Sequence, residues 1–526
     1  MLFPTKTMSD SNLSIAQHYH QRTKYAPAVL AANPRSLDWS QQPVPFKVYK
    51  LGTEIDLKPH LKERAVPSPE QDSEAQWWQR LSRLLFCSYG LTAAIKTLGE
   101  PIYLRAAPSA GGLYPAEIYL LSRGTPLLPA GIYNYQPKAH SLLRFWDSEV
   151  WPALQSACFW PQTLENTQLA LVVSAVFFRS AWRYEDRAYR RIFLDTGHLL
   201  GNLELACAMN DYRPHLISGF LDAAVNDLMY FDSDQEGAIA VLPLADLLDA
   251  QQNLPLGQTA LPSATQTGYP TIPDGALLAY LHQATQITET PQCALPAKVK
   301  APRKDSTPPA PIEDKYNFPF CQKVTMTSAP ILWGESLEDL EKTILRRRST
   351  RAYTGGGISL AQLKALLDFT YHPEHYIDIG LDGVPDYCDL KGIETFIAAL
   401  DVDELDAGCY YYAPHAQELR QIRFKNFRRE LHHLCLGQDL GRDAAAVVFH
   451  TADLGQAIAT YGDRAYRYLH MDAGHLGQRL NLAAIQLDLG ASGIGGFFDD
   501  QVNEVLGIPI DEAVLYITTL GQPRTA

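Results

Sequence analysis

Apolar side chains recur along residues 185–208 at Tyr189, Ile192, Phe193, Leu199, Leu203 and Ala206. A later stretch repeats the pattern at Tyr466, Leu469, Ala473, Leu476, Leu480 and Ala483. This spacing gathers each set into one stripe and predicts two long helices with a single apolar face. Runs at 117–121, 169–178, 444–450 and 513–520 are apolar without helical spacing and read as buried strands. Ser336 with Asp339, and Ser359 with Gln362, have the spacing that boxes the first turn of a helix. Each part of the chain is thus predicted to be a sheet wrapped by helices, an α+β fold.

The two helical stretches are copies of one another. YEDRAYRRIFLDTGH at 184–198 and YGDRAYRYLHMDAGH at 461–475 agree at nine of fifteen positions, 277 residues apart. The offset of 277 also aligns AGIYNY from Ala130 with AGCYYY from Ala407, and SGFLDAAVN from Ser218 with GGFFDDQVN from Gly495. Three matches in one ungapped register indicate an internal duplication. Between the copies, 288–317 is rich in Pro, Lys, Thr and Ala, lacks apolar periodicity and reads as an extended connector. The predicted organisation is an N-terminal extension (1–75), a first domain (76–287), a linker (288–325) and a second domain (326–526). Two domains suit 526 residues, since single cores stop growing near ~250–300 residues.

Composition narrows the function. Hydrophobic residues make up 46% and charged residues 20%, as in a globular protein, and the net charge is -13. That charge argues against a general binder of nucleic acid or anionic membranes. No apolar run has the length of a membrane span, and no apolar segment follows a basic start as in a secretory signal. The eight cysteines are scattered and form no C-x-x-C pair, which argues against a zinc site or a disulfide framework; no metal is expected, and a reducing cytoplasm is the expected compartment.

Four constellations carry candidate chemistry. RRRSTRAY at 346–353 concentrates four arginines and a serine in an acidic chain. Arginine forks suit phosphate oxygens, although a solvated basic helix end would look the same. The segment at 105–121, RAAPSAGGLYPAEIYLL, places a Gly-Gly turn before a strand, where backbone can approach a flat ligand closely or simply form a loop. GASGIGGFFDD at 490–500 follows a helix, so it is not a dinucleotide fingerprint, which must follow a strand. Trp182-Arg183-Tyr184 sets a phenol beside a cation, either a proton acceptor or a half-buried aromatic with a snorkelling arginine.

Together these pieces resemble the nitroreductase superfamily, and within it the SagB-type dehydrogenases, which oxidise azolines to azoles in peptide natural products. The resemblance covers roughly 80–230 and 335–523. It implies two tandem nitroreductase-like domains, each a mainly antiparallel sheet wrapped by helices, forming an intrachain pseudo-dimer. It also implies FMN as cofactor. The family's R-R-S-x-R-x-[FY] segment, which binds the FMN phosphate, stands here as Arg347, Arg348, Ser349, Arg351 and Tyr353. Its P-S-A-G-G-L-Y-P segment, which lies against the isoalloxazine, is unbroken from Pro108 through Ser109, Ala110, Gly111 and Gly112 to Pro115. The G-G-F loop matches Gly495, Gly496 and Phe497, and the oxidation-linked Lys-Tyr pair is replaced by Arg183 and Tyr184. More weakly, HYHQRTKY at 18–25 looks like the opening of longer family members.

The departures are complementary. The first half lacks R-R-S-x-R, while the second has Pro385-Asp386-Tyr387-Cys388-Asp389 where P-S-A-G-G belongs and Thr460 at the Arg183 position. The pattern predicts one flavin site assembled from both halves. Arginine remains protonated, so Arg183 cannot itself act as a base, and Tyr184 is the expected catalytic group, with His198 next. The reaction implied is oxidation of a thiazoline or oxazoline ring in a peptide or carrier-bound intermediate. The alternatives are an NAD(P)H-dependent nitro or quinone reductase and a non-catalytic scaffold in a biosynthetic complex. Other biosynthetic enzymes and a second copy of the chain remain open as partners; the sequence gives no sign of a nucleic-acid or membrane partner.

Overall fold

The computed structural model describes residues 13–524 apart from 33–35, 62–72, 98–100, 253, 255–256 and 291–312. Most of the predicted linker, 291–312, therefore lies outside the described residues. Each half is built on a seven-stranded sheet. Across the first sheet the strands run Thr53–Asp56, Ser141–Trp146, Gly131–Gln136, Ala116–Ser122, Leu169–Val176, Glu236–Asp246 and Tyr212–Pro214. Across the second they run Lys323–Thr325, Glu418–Arg423, Gly408–Ala413, Glu394–Ala399, Ala446–Asp453, Glu512–Gly521 and Gly490–Ile494. Every pairing is antiparallel.

The sequence offset survives as geometry. Leu169–Val176 and Ala446–Asp453 differ by 277 residues, as do the helices Phe177–Tyr184 and Leu454–Tyr461 and the long helices Ala188–Met209 and Ala465–Gln486. One edge strand of each sheet comes from outside the predicted domain limits. Thr53–Asp56 belongs to the stretch read as an extension and pairs with Ser141–Arg144. Lys323–Thr325 belongs to the stretch read as linker and pairs with Glu418–Arg420. The run at 169–178 is strand only to Val176; Phe177 opens the helix that carries Tyr184.

The long helices were expected to show one apolar face, but they are buried on nearly all sides. Their polar faces meet at the boundary between the halves, where side chains pair instead of facing water. Arg479 Nη1 donates to Glu204 Oε2 at 2.9 Å, and His198 Nδ1 is 2.9 Å from Gln478 Oε1. The helices cross at Gly197 and Gly474. A methyl on Gly197 would collide with the Met471 carbonyl and lie 2.8 Å from the Gly474 Cα, and one on Gly474 would collide with the Leu194 carbonyl. Glycine is needed here for close approach of two backbones.

Buried ion triads tie the halves together with the same symmetry. Arg187 and Arg190 hold Asp499 at 2.9 and 2.7 Å, while Arg464 and Arg467 hold Asp222 at 2.5 and 2.8 Å. Breaking such a pair strands an uncompensated buried charge, so the triads fix how the halves sit.

The Ser359–Gln362 capping box is present. The Ser336–Asp339 box is not: Ser336 and Leu337 take left-handed φ values of 54° and 62°, and the helix begins at Glu338. The Asp339 N–H donates to the Trp333 carbonyl at 3.0 Å, so a tertiary turn overrides the local capping signal.

Candidate functional site

The first half supplies a glycine turn strapped to its long helix. Asp195 accepts from Ser109 Oγ at 2.6 Å and from the Ala110 N–H at 3.0 Å. The Tyr114 N–H closes the turn onto Ser109 Oγ at 2.8 Å. Gly111 and Gly112 have φ of 66° and 68°, which disfavours any other residue at either position. Burial pushes the Asp195 carboxyl up to about 7, against the lowering from Ser109, Ala110 and the Arg191 charge.

The second half brings its arginine segment to the same place, but not every arginine faces inward. Arg347 Nε donates to the Ala106 carbonyl at 2.7 Å and its Nη2 to the Arg105 carbonyl at 3.2 Å, while Nη1 is buried without a partner. Burial lowers its pKa to about 10. Arg348 binds Thr92 Oγ1 and the Thr92 carbonyl, each at 3.0 Å, so its guanidinium is occupied by the first half. Arg347 and Arg348 thus staple the segment across the boundary and leave Ser349 and Arg351 to face the space beyond. The Thr350 N–H, bonded to the Ala491 carbonyl at 2.9 Å, anchors the segment to the strand leading into Gly495 and Gly496.

Between these parts lies an open cleft. Pro108, Ser109, Ala110 and Gly111 line it from one half, and Ser349, Arg351 and Gly495 from the other. Gly112, Arg347, Arg348 and Gly496 lie outside its lining; a methyl on Gly496 would sit 3.1 Å from Leu436. Asp195, Arg191 and Asn481 also face the cleft, and sequence reasoning did not single them out. Asn481 Oδ1 and Arg191 Nη1 are buried without partners.

Tyr184 and Arg183 stand beside the glycine turn rather than in the cleft lining. A methyl on Gly111 would lie 2.9 Å from the Tyr184 hydroxyl and 3.3 Å from Arg183 Cδ. The cation nearest the phenol is Arg191: its guanidinium carbon lies 3.9 Å from the Tyr184 ring centre, against 5.8 Å for Arg183. The repeat offered a signal, because Tyr468 replaces Arg191 in the copy. His198 is held by Gln478 and by the Tyr516 hydroxyl at 2.8 Å, and burial lowers its pKa to about 4. It lines the cleft and is neutral at physiological pH.

The symmetry-related place in the other orientation is filled by the chain itself. Thr259 Oγ1 donates to the carbonyls of Tyr387 and Cys388 at 2.7 and 2.9 Å. Its own carbonyl accepts the N–H groups of Ser218 and Gly219 at 2.9 and 3.2 Å. The Tyr468 hydroxyl donates to the Leu261 carbonyl at 2.7 Å, and the Ser263 N–H to the Tyr461 carbonyl at 3.0 Å. Tyr387 stacks on His475 at 4.3 Å, and Asp386 accepts from the Leu216 N–H at 2.8 Å. Residues 259–263 thus run where the first cleft is open. A separate open pocket beside Tyr461 sets Lys315 and Lys391 against Asp389, Glu394 and Asp453, so it offers no excess of cations to a phosphate.

A family profile described as "Nitroreductase family" matches residues 81–245 and 344–522, one stretch in each half. The chain belongs to the nitroreductase family. A crystal structure described as a putative nitroreductase from Anabaena variabilis is 67% identical, covers 98% of this chain and 100% of its own, and superposes with a TM-score of 0.91. "Putative nitroreductase MJ1384" of Methanocaldococcus jannaschii is 30% identical over 169 residues, 32% of this chain and 84% of that protein. The "Microcin B17-processing protein McbC" of Escherichia coli is 27% identical over 150 residues, 28% of this chain. The match spans 55% of McbC, about half its length. The SagB-type resemblance read from the motifs thus meets a peptide-processing relative, and this nitroreductase carries its domain twice.

Proposed function

We propose that this nitroreductase is an FMN-dependent dehydrogenase with one flavin site per chain, acting on thiazoline- or oxazoline-type rings in a peptide or carrier-bound substrate. The observation carrying this reading is the cleft built from the glycine turn of one half and the arginine segment of the other. Its donor set suits the cofactor: Ser349 and Arg351 line the cleft and offer charge-assisted hydrogen bonds to a phosphate. The backbone at Ala110, Gly111 and Gly495 leaves room for a flat ring system, and Asn481 Oδ1 and Arg191 Nη1 supply unpaired polar atoms on its rim. Bound there, FMN would supply the two-electron acceptor.

The chain's own residues would manage the proton. Tyr184 would take it from the substrate carbon, with the Arg191 guanidinium over its ring and Arg183 at its side. Asp195 would keep the glycine turn in position. The similarity to McbC favours a peptide substrate, and other biosynthetic enzymes are the expected partners.

The test has two arms. The purified chain should carry one FMN per polypeptide, and it should convert an azoline-containing peptide to the azole with loss of two mass units. Two flavins per chain would overturn the reading of residues 259–263. Turnover of nitro or quinone compounds with NAD(P)H, but not of azolines, would replace the dehydrogenase reading with a reductase.

A further inference from the structure

Outside the cleft, one cluster in the second half has the composition of a metal site. Helix Leu360–Tyr371 ends at His372, and the turn Pro373–Ile379 follows. His372, Glu374 and His375 each offer a ligand atom, and these atoms all lie within 4.8 Å of one another. The two imidazole rings are 5.3 Å apart between centres.

What separates this cluster from a chance grouping is its support. His375 Nδ1 lies 2.7 Å from Asp368 Oδ1, and the other oxygen of Asp368 accepts the Tyr376 hydroxyl at 2.8 Å. His372 Nε2 lies 3.1 Å from the Tyr412 hydroxyl. Imidazoles that hold a metal are oriented in this way, by a carboxylate or other acceptor on the nitrogen that does not coordinate. An N–H donated to Asp368 leaves Nε2 of His375 as an acceptor, and one donated to Tyr412 leaves Nδ1 of His372 as an acceptor that the Gln417 amide nitrogen approaches only at 3.5 Å. That Nδ1 lies 3.0 Å from Glu374 Oε1. Two acceptors so close repel one another unless a cation or a proton lies between them.

We propose that His372, Glu374 and His375 bind a divalent cation of the zinc class, with water completing a tetrahedral set. Two neutral nitrogens and one carboxylate suit zinc at about 2.0–2.2 Å per bond, whereas calcium and magnesium want oxygen alone. None of the three residues lines the cleft, so the ion is structural rather than catalytic. It clamps the turn Pro373–Ile379 onto the preceding helix. Just beyond that turn, Asp382 binds Arg213 of the first half at 2.7 Å, so the clamp also steadies a contact between the halves.

The full-length chain, stripped with a chelator, is titrated with zinc chloride by calorimetry. One ion per chain is expected, with Glu374→Gln and His375→Gln each weakening binding about tenfold or more. His433→Gln, an exposed histidine elsewhere, should leave it unchanged. The Glu374 side chain is 52% exposed, so Glu374→Gln should match the parent's melting temperature in chelator, whereas His375→Gln also gives up the bond to the buried Asp368. Absence of saturable zinc binding, or equal affinity in Glu374→Gln and His375→Gln, would reduce the cluster to an ordinary imidazole–carboxylate hydrogen bond.

Discussion

Replacing Asp195 with Asn should flatten the dependence of stability on pH. The folded chain holds this carboxyl at about 7, against an ordinary value of 3.8. The fold therefore keeps a proton that the unfolded chain has already lost, and stability falls as pH rises from 3.8 to about 7 and then levels off. The gap of about three pH units, at 1.36 kcal/mol each, corresponds to about 4 kcal/mol. Asparagine keeps the local bonding: its carbonyl accepts the Ala110 N–H, and its amide donates to Ser109 Oγ, whose proton turns away. The variant should thus gain on the parent progressively from pH 4 to 8, by up to about 4 kcal/mol. Asp472, also raised to about 7 by burial beneath Cys388 and Asp389, stays in the variant and preserves its own share of the slope. Urea unfolding followed by tryptophan fluorescence at several pH values reads the difference between the two proteins. Parallel profiles would refute the reasoning and mean that the carboxylate is ionised in the fold, paired with Arg191.

Ser349→Ala and Arg351→Ala should each weaken FMN retention by ~1.5–3 kcal/mol, measured by flavin released on dilution, whereas Arg348→Ala should chiefly lower the melting temperature. Tyr184→Phe should keep the flavin and lose ~100- to 10,000-fold in turnover, while Tyr461→Phe should change turnover little. Equal losses in both would return Tyr184 to the role of a core aromatic. Gly197→Val should cost ~1–3 kcal/mol or more by forcing the crossing helices apart, and should loosen flavin with it; an unchanged melting temperature would mean the crossing tolerates separation.

Much of this architecture was legible in the sequence, because the evidence for it is repeated. The register of 277 residues that matched three short segments also matches whole strands and helices, so the duplication could be read from local pattern, while the antiparallel sheets were implied by the family resemblance. Properties of the boundary between the halves could not. The polar faces of the long helices look solvent-exposed in a helical projection, and only docking shows them paired. Arg191 was visible as a difference from Tyr468, but its place over Tyr184 depends on how the shorter helix Phe177–Tyr184 folds back. Residues 259–263 contain no motif, and their position in the second cleft is a matter of tertiary path alone. Arg347 and Arg348 carry the right chemistry for a phosphate, yet backbone carbonyls and Thr92 of the other half take most of their donors.

Residues 259–263 can occupy one cleft only because the two halves are not the same gene product twice over. In a dimer of identical chains, any segment that blocked one site would block both, and each substitution would be felt in duplicate. Here a change at Asp386 or Tyr468 has no counterpart it must respect at Ser109 or Arg191. Joining the halves also makes assembly of the open cleft intramolecular, so dilution cannot take it apart as it would a weak dimer. If the open cleft holds the chain's one flavin, as proposed, substrate saturation within one chain meets no second site, and hyperbolic kinetics are the expected signature.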